Sequence, residues 1–478
     1  MYSWRRILPV FLTKTPQSML HATRDNKPTA SRVRILRWNG YMLCSHDDQS
    51  LVRGGFLFQL AQPHTRVTTE CLAGVTTFFA MLYIAVVNPL ILSAAGLDPQ
   101  AVFIATCLTV ALGCFLMGGY VKVPVVLAPA MGVNVYFTYH MVLGLGMTWQ
   151  VALGMVLIAG LVLWGLSFTT VRQWLMEAIP IPLQVAIGVG IGMFIILIGL
   201  QNAGVMALSH FALVESISWY PIGCFFTGLL LILGLRRWRV PGALLWTILA
   251  ISVISGWLGK TTFQGVWAWP SGLSATALQL EIGSWWHWEA LFVMFALGMV
   301  MLFDTTGTLM SLMRQMHLPT PTGFYRKALR AEAATTCLGA LLGTAPTAPY
   351  IESMAGMQSG GRGGLTAVVV GLLFLGVMFF APLIQMIPPY AVAPVLVFIG
   401  TLMVKEIGQI PWRDGALAPA VLAIVVVMPL TFSIADGMGA GFIVYTVMSL
   451  LLKRRRQLHP MMWVLAGTFG LFFVVQSI

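Results

Sequence analysis

From Leu72 to the C-terminus the chain offers almost no stretch polar enough to form a soluble domain, because apolar segments follow one another nearly end to end. A helix crossing a hydrocarbon core of ~30 Å needs about 20 mostly apolar residues. Of the 478 residues 58% are hydrophobic and only 9% are charged, whereas soluble domains carry roughly 25% charged residues. The fold class is therefore an all-α polytopic membrane protein. Spans are expected at 72–92, 101–119, 124–145, 149–169, 183–203, 220–235 and 240–257. After a Trp- and Gly-rich connector over 260–288 they resume at 289–311, 330–344, 346–360, 365–387, 389–404, 415–432 and 436–452. A last apolar stretch, 461–475, reads as an interfacial or extra helix.

The net charge of +12 raises the question of a nucleic-acid partner, and the placement of the basic residues answers it. Ten of the 27 precede Leu72, and when alternate loops are assigned to opposite sides, sixteen of the others fall on that same side, leaving only Lys260 opposite. That asymmetry marks a cytoplasmic N-terminus, here in a bacterial inner membrane, and leaves no case for nucleic acid. Residues 1–65 are Arg-rich and poor in acids, and their apolar run ILPVFL is too short for a secretory signal. They read as a disordered basic extension, or as a chain started too early. The six cysteines show no CxxC spacing and sit mostly in apolar segments, as small packing residues do.

Two sets of seven spans invite a search for internal symmetry. IPIPLQVAIGVGIG (179–192) lines up with IPPYAVAPVLVFIG (387–400), which sets span 5 against span 12, and LAPAMGVNVYF (127–137) lines up with TAPTAPYIESM (344–354). An odd number of spans per copy makes the repeats inverted, giving about 14 transmembrane segments in two inverted seven-span repeats. Spans 3 and 10 share a defect, since prolines and glycines stand where a helix needs hydrogen bonds. Irregular backbone at membrane depth survives only where it lines a cavity or is buried in protein. Both segments are expected to be broken, with a short extended stretch entering a half-helix, and matching breaks in two repeats point to a substrate site.

Two carboxylates sharpen the expectation. Asp304 in span 8 and Glu352 in span 10 lie well inside their spans, with no Lys or Arg in either. An intramembrane acid by default marks a substrate or proton path. Glu332 reads instead as a helix-start charge beside Arg330, and Asp436 as a helix N-terminal residue. A carboxylate accepts two hydrogen bonds side by side, and an unwound strand leading into a half-helix supplies donors. A planar heterocycle with adjacent N–H donors and ring acceptors satisfies both, and a purine fits. Taking a carboxylate out of water favours its neutral form, so one of the two acids can carry a proton.

The stretches AGVTTFFAMLYIAVVNP, LAPAMGVNVYF, FDTTGTL, YIESMAGMQSGGRGGLTAVVVGLLF and MPLTFSIADGMGAGF are similar to those of the nucleobase transporters, in particular the adenine, guanine and hypoxanthine permease branch. The resemblance covers about Thr65 to Leu452. It implies a core domain (66–170 with spans 1–4, and 289–388 with spans 8–11) and a gate domain (171–259 with spans 5–7, and 389–452 with spans 12–14), joined by the connector 260–288 and followed by 453–478. It also implies proton-coupled uptake of a free base held between the short strands of spans 3 and 10. Glu352, Asp304 and Asn134 carry over as the substrate-binding set, with Ala128, Tyr350 and Ile351 in the broken segments beside them, and Asp304, Glu352 and Glu332 as the proton-coupling set. No cofactor or metal is expected beyond the proton as coupling ion. The partners are a purine base and the lipid bilayer, with a homodimer allowed. The commonest family pattern reads GTSxxTxYxES, whereas here Ala345 replaces the serine and Pro346 and Pro349 remove two backbone donors. Adenine is favoured, then guanine and hypoxanthine.

An uncoupled facilitator, or a carrier of xanthine or uracil on the same scaffold, is the alternative. An enzyme is not: the chain has no HExxH, GxSxG or GxxxxGK[ST] sequence, and GGRGG (360–364) reads as a cytoplasmic turn rather than a phosphate cradle. Deleting residues 1–51 removes eight of the ten basic residues before span 1, yet those downstream still set orientation. The truncated protein is expected to insert and transport as the full chain does, which uptake per inserted molecule measures. A truncated protein that inserts and does not transport would make the extension part of the machinery.

Overall fold

In the computed structural model, residues 35–38, 41–44 and 66–476 are described, apart from 170–178, 208–211, 214–217, 239, 241, 262–264, 284–287, 317–322, 432 and 454–457. The chain divides after Arg53 into two units. In the first, Ile35–Trp38 pairs antiparallel with Tyr41–Cys44, where the sequence reading expects no order. The strands flank Asn39-Gly40, a dipeptide suited to tight hairpin turns. The rest of the basic extension lies outside the described residues.

The second unit is the helical bundle. Among the described residues eight helical segments are long and apolar enough to cross a membrane, and they supply spans 1, 2, 4, 5, 6, 11, 12 and 14. Shorter apolar helices supply span 7 (Ala243–Trp257), the first half of span 8 (Leu291–Leu302), span 13 (Leu417–Thr431) and the final segment. Spans 3 and 10 are broken, as expected. Local chemistry sets several starts: Asp98 accepts the N–H of Ala101 at 2.7 Å ahead of span 2, and Ser433 accepts that of Asp436 at 3.1 Å ahead of span 14. Asp436 thus sits in a first helical turn, where the sequence places it.

The symmetry read from sequence has a direct structural counterpart. Spans 5 (Ile181–Asn202) and 12 (Pro389–Val404) lie against each other along their length, and the two glycines that end the aligned stretches meet. A Cβ on Gly192 would come within 2.9 Å of the Gly400 carbonyl oxygen, and one on Gly400 within 2.6 Å of that of Gly192. Neither position has room for a side chain. Span 13 packs on spans 5 and 14, and span 6 on spans 7 and 12. Separately, span 11 packs on spans 1 and 2, and span 9 on spans 2 and 4.

Span 9 differs from expectation in its start. The helix runs Phe324–Leu342, so Glu332 is more than two turns inside it and fully buried, not a helix-start charge. Arg326, Lys327 and Arg330 lowered the apparent hydropathy of those first turns and hid them. Arg330 places its guanidinium over the Phe168 ring, 4.2 Å from the centroid. The final segment is a helix, Pro460–Gln476, packed on spans 8 and 14, with Phe469 against Phe295 and Phe442 and Phe472 against Phe292.

One buried acid outside the expected set holds the turn between spans 10 and 11 together. Glu70, in the first turn of span 1, accepts the N–H groups of Arg362 and Gly363 on Oε1, both at 2.9 Å, and the hydroxyl of Thr366 on Oε2. Its charge lies against the first turn of the span 11 helix, Gly364–Val377, where the helix dipole favours it. GGRGG is thus a turn shaped by a carboxylate, in keeping with its reading from sequence.

Candidate functional site

Two three-residue strands meet inside the bundle. Strand β1 (Leu127–Pro129, span 3) pairs antiparallel with strand β2 (Thr347–Pro349, span 10), with Ala128 opposite Ala348. Ala130 donates to the Pro346 carbonyl at 2.8 Å and Tyr350 to that of Val126 at 3.0 Å, which places hydrogen-bonded rungs on either side of the alanine pair. Pro129 and Pro349 fall on the intervening rungs, where an N–H would point away from the partner. The donor lost at Pro349 is therefore not missed by the ladder, and Pro346 takes part through its carbonyl. The register also corrects the alignment read from sequence. The counterpart of Ala128-Pro129 is Ala348-Pro349, three residues beyond the Ala345-Pro346 that the similarity suggested.

Side chains close the crossing. The Tyr350 hydroxyl donates to the Pro129 carbonyl at 2.6 Å, and Ser353 Oγ accepts the N–H of Val126 at 3.0 Å. From this ladder two half-helices lead away in opposite directions, Met131–Val135, which continues in wider turns to Val142, and Ser353–Gln358. Burial falls steeply along the second segment. Thr347 and Ala348 are buried, whereas Ile351 is 47% exposed and Glu352 half-buried, so the surface opens where the half-helix begins.

Glu352 is held from span 1, where the Tyr83 hydroxyl donates to its Oε1 at 2.6 Å. Tyr83 is fully buried and sits at the break between the helices Val67–Met81 and Ile84–Ser93. Asp304 is half-buried near the middle of Trp288–Met316, a helix that packs against β2 and both half-helices. Beside Asp304, the Thr305 hydroxyl donates to Glu332 Oε1 at 2.9 Å. Glu332 also supports β2, since Thr347 Oγ1 lies 3.4 Å from the Glu332 carbonyl and the Thr347 N–H bonds to Thr336 Oγ1 at 3.1 Å.

The structure brings Glu352, Asp304, Glu332, Tyr350 and Ala128 to or beside one crossing. Their surroundings differ. Ala128 is fully buried within the ladder, so its small side chain serves the close approach of the strands. The Tyr350 hydroxyl is taken up by Pro129. Asn134 is fully buried and donates its amide to Asn88 Oδ1, while Asn88 donates to Thr106 Oγ1 at 2.7 Å and to Thr344 Oγ1 at 2.9 Å. Tyr83, Asn88 and Glu332 thus have larger parts than the sequence suggests. The first two stand in the span 1 stretch MLYIAVVNP, where a tyrosine and an asparagine inside an apolar span were the available signal. Across the site, Gly132 of the first half-helix lies against Ile191 of span 5, and an added Cβ would come within 2.4 Å of its Cγ2.

Chemically the arrangement offers a carboxylate at an opening, a second, half-buried carboxylate on the helix packed against β2, and the backbone of two short strands. The permease family matches residues 68–439. Over 424 residues the chain is 37% identical to the adenine permease AdeQ of Escherichia coli strain K12, covering 88% of this chain and 96% of that protein. It is 36% identical over 436 residues to the guanine/hypoxanthine permease PbuO of Bacillus subtilis strain 168, covering 88% and 99%. Among solved structures, the transmembrane domain of the cyanobacterial bicarbonate transporter BicA superposes with a TM-score of 0.65 at 17% identity, over 80% of this chain and 98% of that one. It shares the fold, an inverted-repeat transporter architecture.

Proposed function

The chain belongs to the permease family, and from that premise we propose that it carries purine nucleobases across the cytoplasmic membrane together with protons. Adenine is the first candidate, then guanine and hypoxanthine. The observation that carries the proposal is Glu352, an intramembrane carboxylate at the mouth of the broken span 10 with one oxygen oriented by Tyr83. With Oε1 fixed by that hydroxyl, Oε2 and the remaining lone pairs are available to adjacent N–H donors of a planar base. Relatives named as adenine and guanine/hypoxanthine permeases support purines over other bases.

In this reading the crossing, with spans 1–4 and 8–11 around it, is the substrate-carrying core. Spans 5–7 and 12–14 are the gate against which it moves, in an elevator-like or rocking alternation. Gly132 against Ile191 is then a sliding contact between the two. Glu352 is the substrate acceptor and must be ionised to accept two bonds. Asp304, beside the Thr305–Glu332 contact, is the proton carrier, with Glu332 next in line.

Uptake of radiolabelled adenine, guanine, hypoxanthine and uracil, with and without a proton gradient, tests the proposal. Purine accumulation that collapses with a protonophore supports it, and gradient-independent equilibration would make the protein an uncoupled facilitator. In Glu352→Gln the amide can still accept from Tyr83 but turns N–H groups towards the base. Loss of a charge-assisted contact costs about 2–5 kcal/mol, so binding is expected to fall beyond detection, and wild-type affinity would remove Glu352 from the site. Asp304→Asn imitates the permanently protonated form. It is expected to bind base and exchange it across the membrane without concentrating it, and accumulation against a gradient in this variant would move the proton to another residue.

A further inference from the structure

Asn134 has one buried atom, Oδ1, with no hydrogen-bond partner among the described residues. An asparagine amide can usually turn over, exchanging its acceptor for its donors. Here the surrounding bonds forbid it. Thr106 lies 2.6 Å from the Val102 carbonyl through Oγ1, and a carbonyl can only accept, so the single hydroxyl proton of Thr106 is committed there. Thr106 Oγ1 must then accept from Asn88 at 2.7 Å. That identifies the facing atom of Asn88 as Nδ2, which also donates to Thr344 at 2.9 Å. The other end of the Asn88 amide is therefore Oδ1, and it faces Asn134. Two oxygens cannot share that contact, so Asn134 turns its Nδ2 inward and is left presenting Oδ1.

The direction of the whole chain is set at one point, the bond from Thr106 to a backbone carbonyl one helical turn earlier in span 2. Thr344 does not set it, because its hydroxyl can donate or accept. All four residues are fully buried and come from spans 1, 2, 3 and the approach to span 10, so water has no ready access to reverse the pattern. An acceptor held this way, desolvated and unsatisfied, favours a ligand that brings a donor.

We infer that Asn88, locked by Thr106, is a positioning residue that fixes Asn134 as a hydrogen-bond acceptor, so that the site selects bases presenting an N–H donor at that point. The inference rests on the reading of Asn134 as a purine contact and deepens it. Glu352 and Asn134 would then both be acceptors, a site matched to the donor groups of a base.

The test compares Thr106→Val with Thr106→Ser. Serine can still donate to Val102 and accept from Asn88, whereas valine fills the same volume without the lock, allowing the Asn88 and Asn134 amides to turn over together. Inhibition of radiolabelled purine uptake is measured with a series of purine analogues that each lose one N–H donor. In wild type and Thr106→Ser, one analogue is expected to lose about tenfold or more in affinity, as sites built around a hydrogen bond reject ligands lacking it. In Thr106→Val that penalty is expected to shrink several-fold while the other analogues keep their order. A uniform loss for every analogue, or an unchanged profile in the valine variant, overturns the inference. If the valine variant does not reach the membrane, Thr106→Ala decides, since it also removes the hydroxyl that holds Asn88. The single-analogue penalty should shrink in it as well, and an unchanged profile overturns the inference. Failure of the wild type to take up any purine would instead overturn the functional reading, whatever the variants do.

Discussion

Unwound backbone inside a membrane has to satisfy its own polar groups, because no water is available to do so. The six residues of β1 and β2 meet this constraint by pairing with each other across the inverted repeat, and the rest of the site depends on that pairing. Pro129 and Pro349 sit on rungs where the ladder has no use for an N–H, and the Ala130 carbonyl that Pro346 cannot reach accepts from Asn134 instead. Breaking both helices therefore leaves little unsatisfied, and it exposes the start of a half-helix at Ile351 and Glu352. Neither strand is stable alone, since each provides the other's partners. Tyr350 and Ser353 add side-chain bonds to the same pair.

Around this pair, buried hydroxyls and amides connect the acids to their scaffold. Tyr83 ties Glu352 to span 1, Thr305 ties span 8 to Glu332 of span 9, and Asn88 joins spans 1, 2, 3 and 10. A charge-assisted bond in a low-dielectric interior is stronger than the same bond in water. Glu352 and Glu332 are consequently held in defined positions in advance of any ligand, which lowers the ordering that a ligand there would require. Glu70 shows the other use of a buried acid in this protein. All of its visible bonds go to the GGRGG turn and to Thr366, so it shapes the scaffold rather than the site.

Much of this was legible before any coordinates. Span order, the breaks in spans 3 and 10, and the equivalence of spans 5 and 12 followed from hydropathy, from proline and from the internal similarity, whereas the contact of Gly192 with Gly400 is visible only in the structure. The register of the crossing did not follow, because Ala-Pro occurs twice within five residues and similarity alone chose the first copy; only strand pairing distinguishes Ala345-Pro346 from Ala348-Pro349. Glu332 was misplaced because charged residues in the first turns of span 9 look like a loop to a hydropathy reading. Tyr83 and Asn88 were overlooked for a different reason. Each acts on a residue far away in sequence, and that kind of partnership is set by packing rather than by local pattern.

The central claim is that the base lies against the β1–β2 crossing, between Glu352 and the residues around Asp304. An experimental density map of the protein with bound adenine tests it most directly. The account predicts planar density within hydrogen-bond reach of Glu352 and beside Tyr350, with the ladder of Ala128 and Ala348 intact. Density for the base away from the crossing, with the Glu352–Tyr83 bond unchanged, would contradict it.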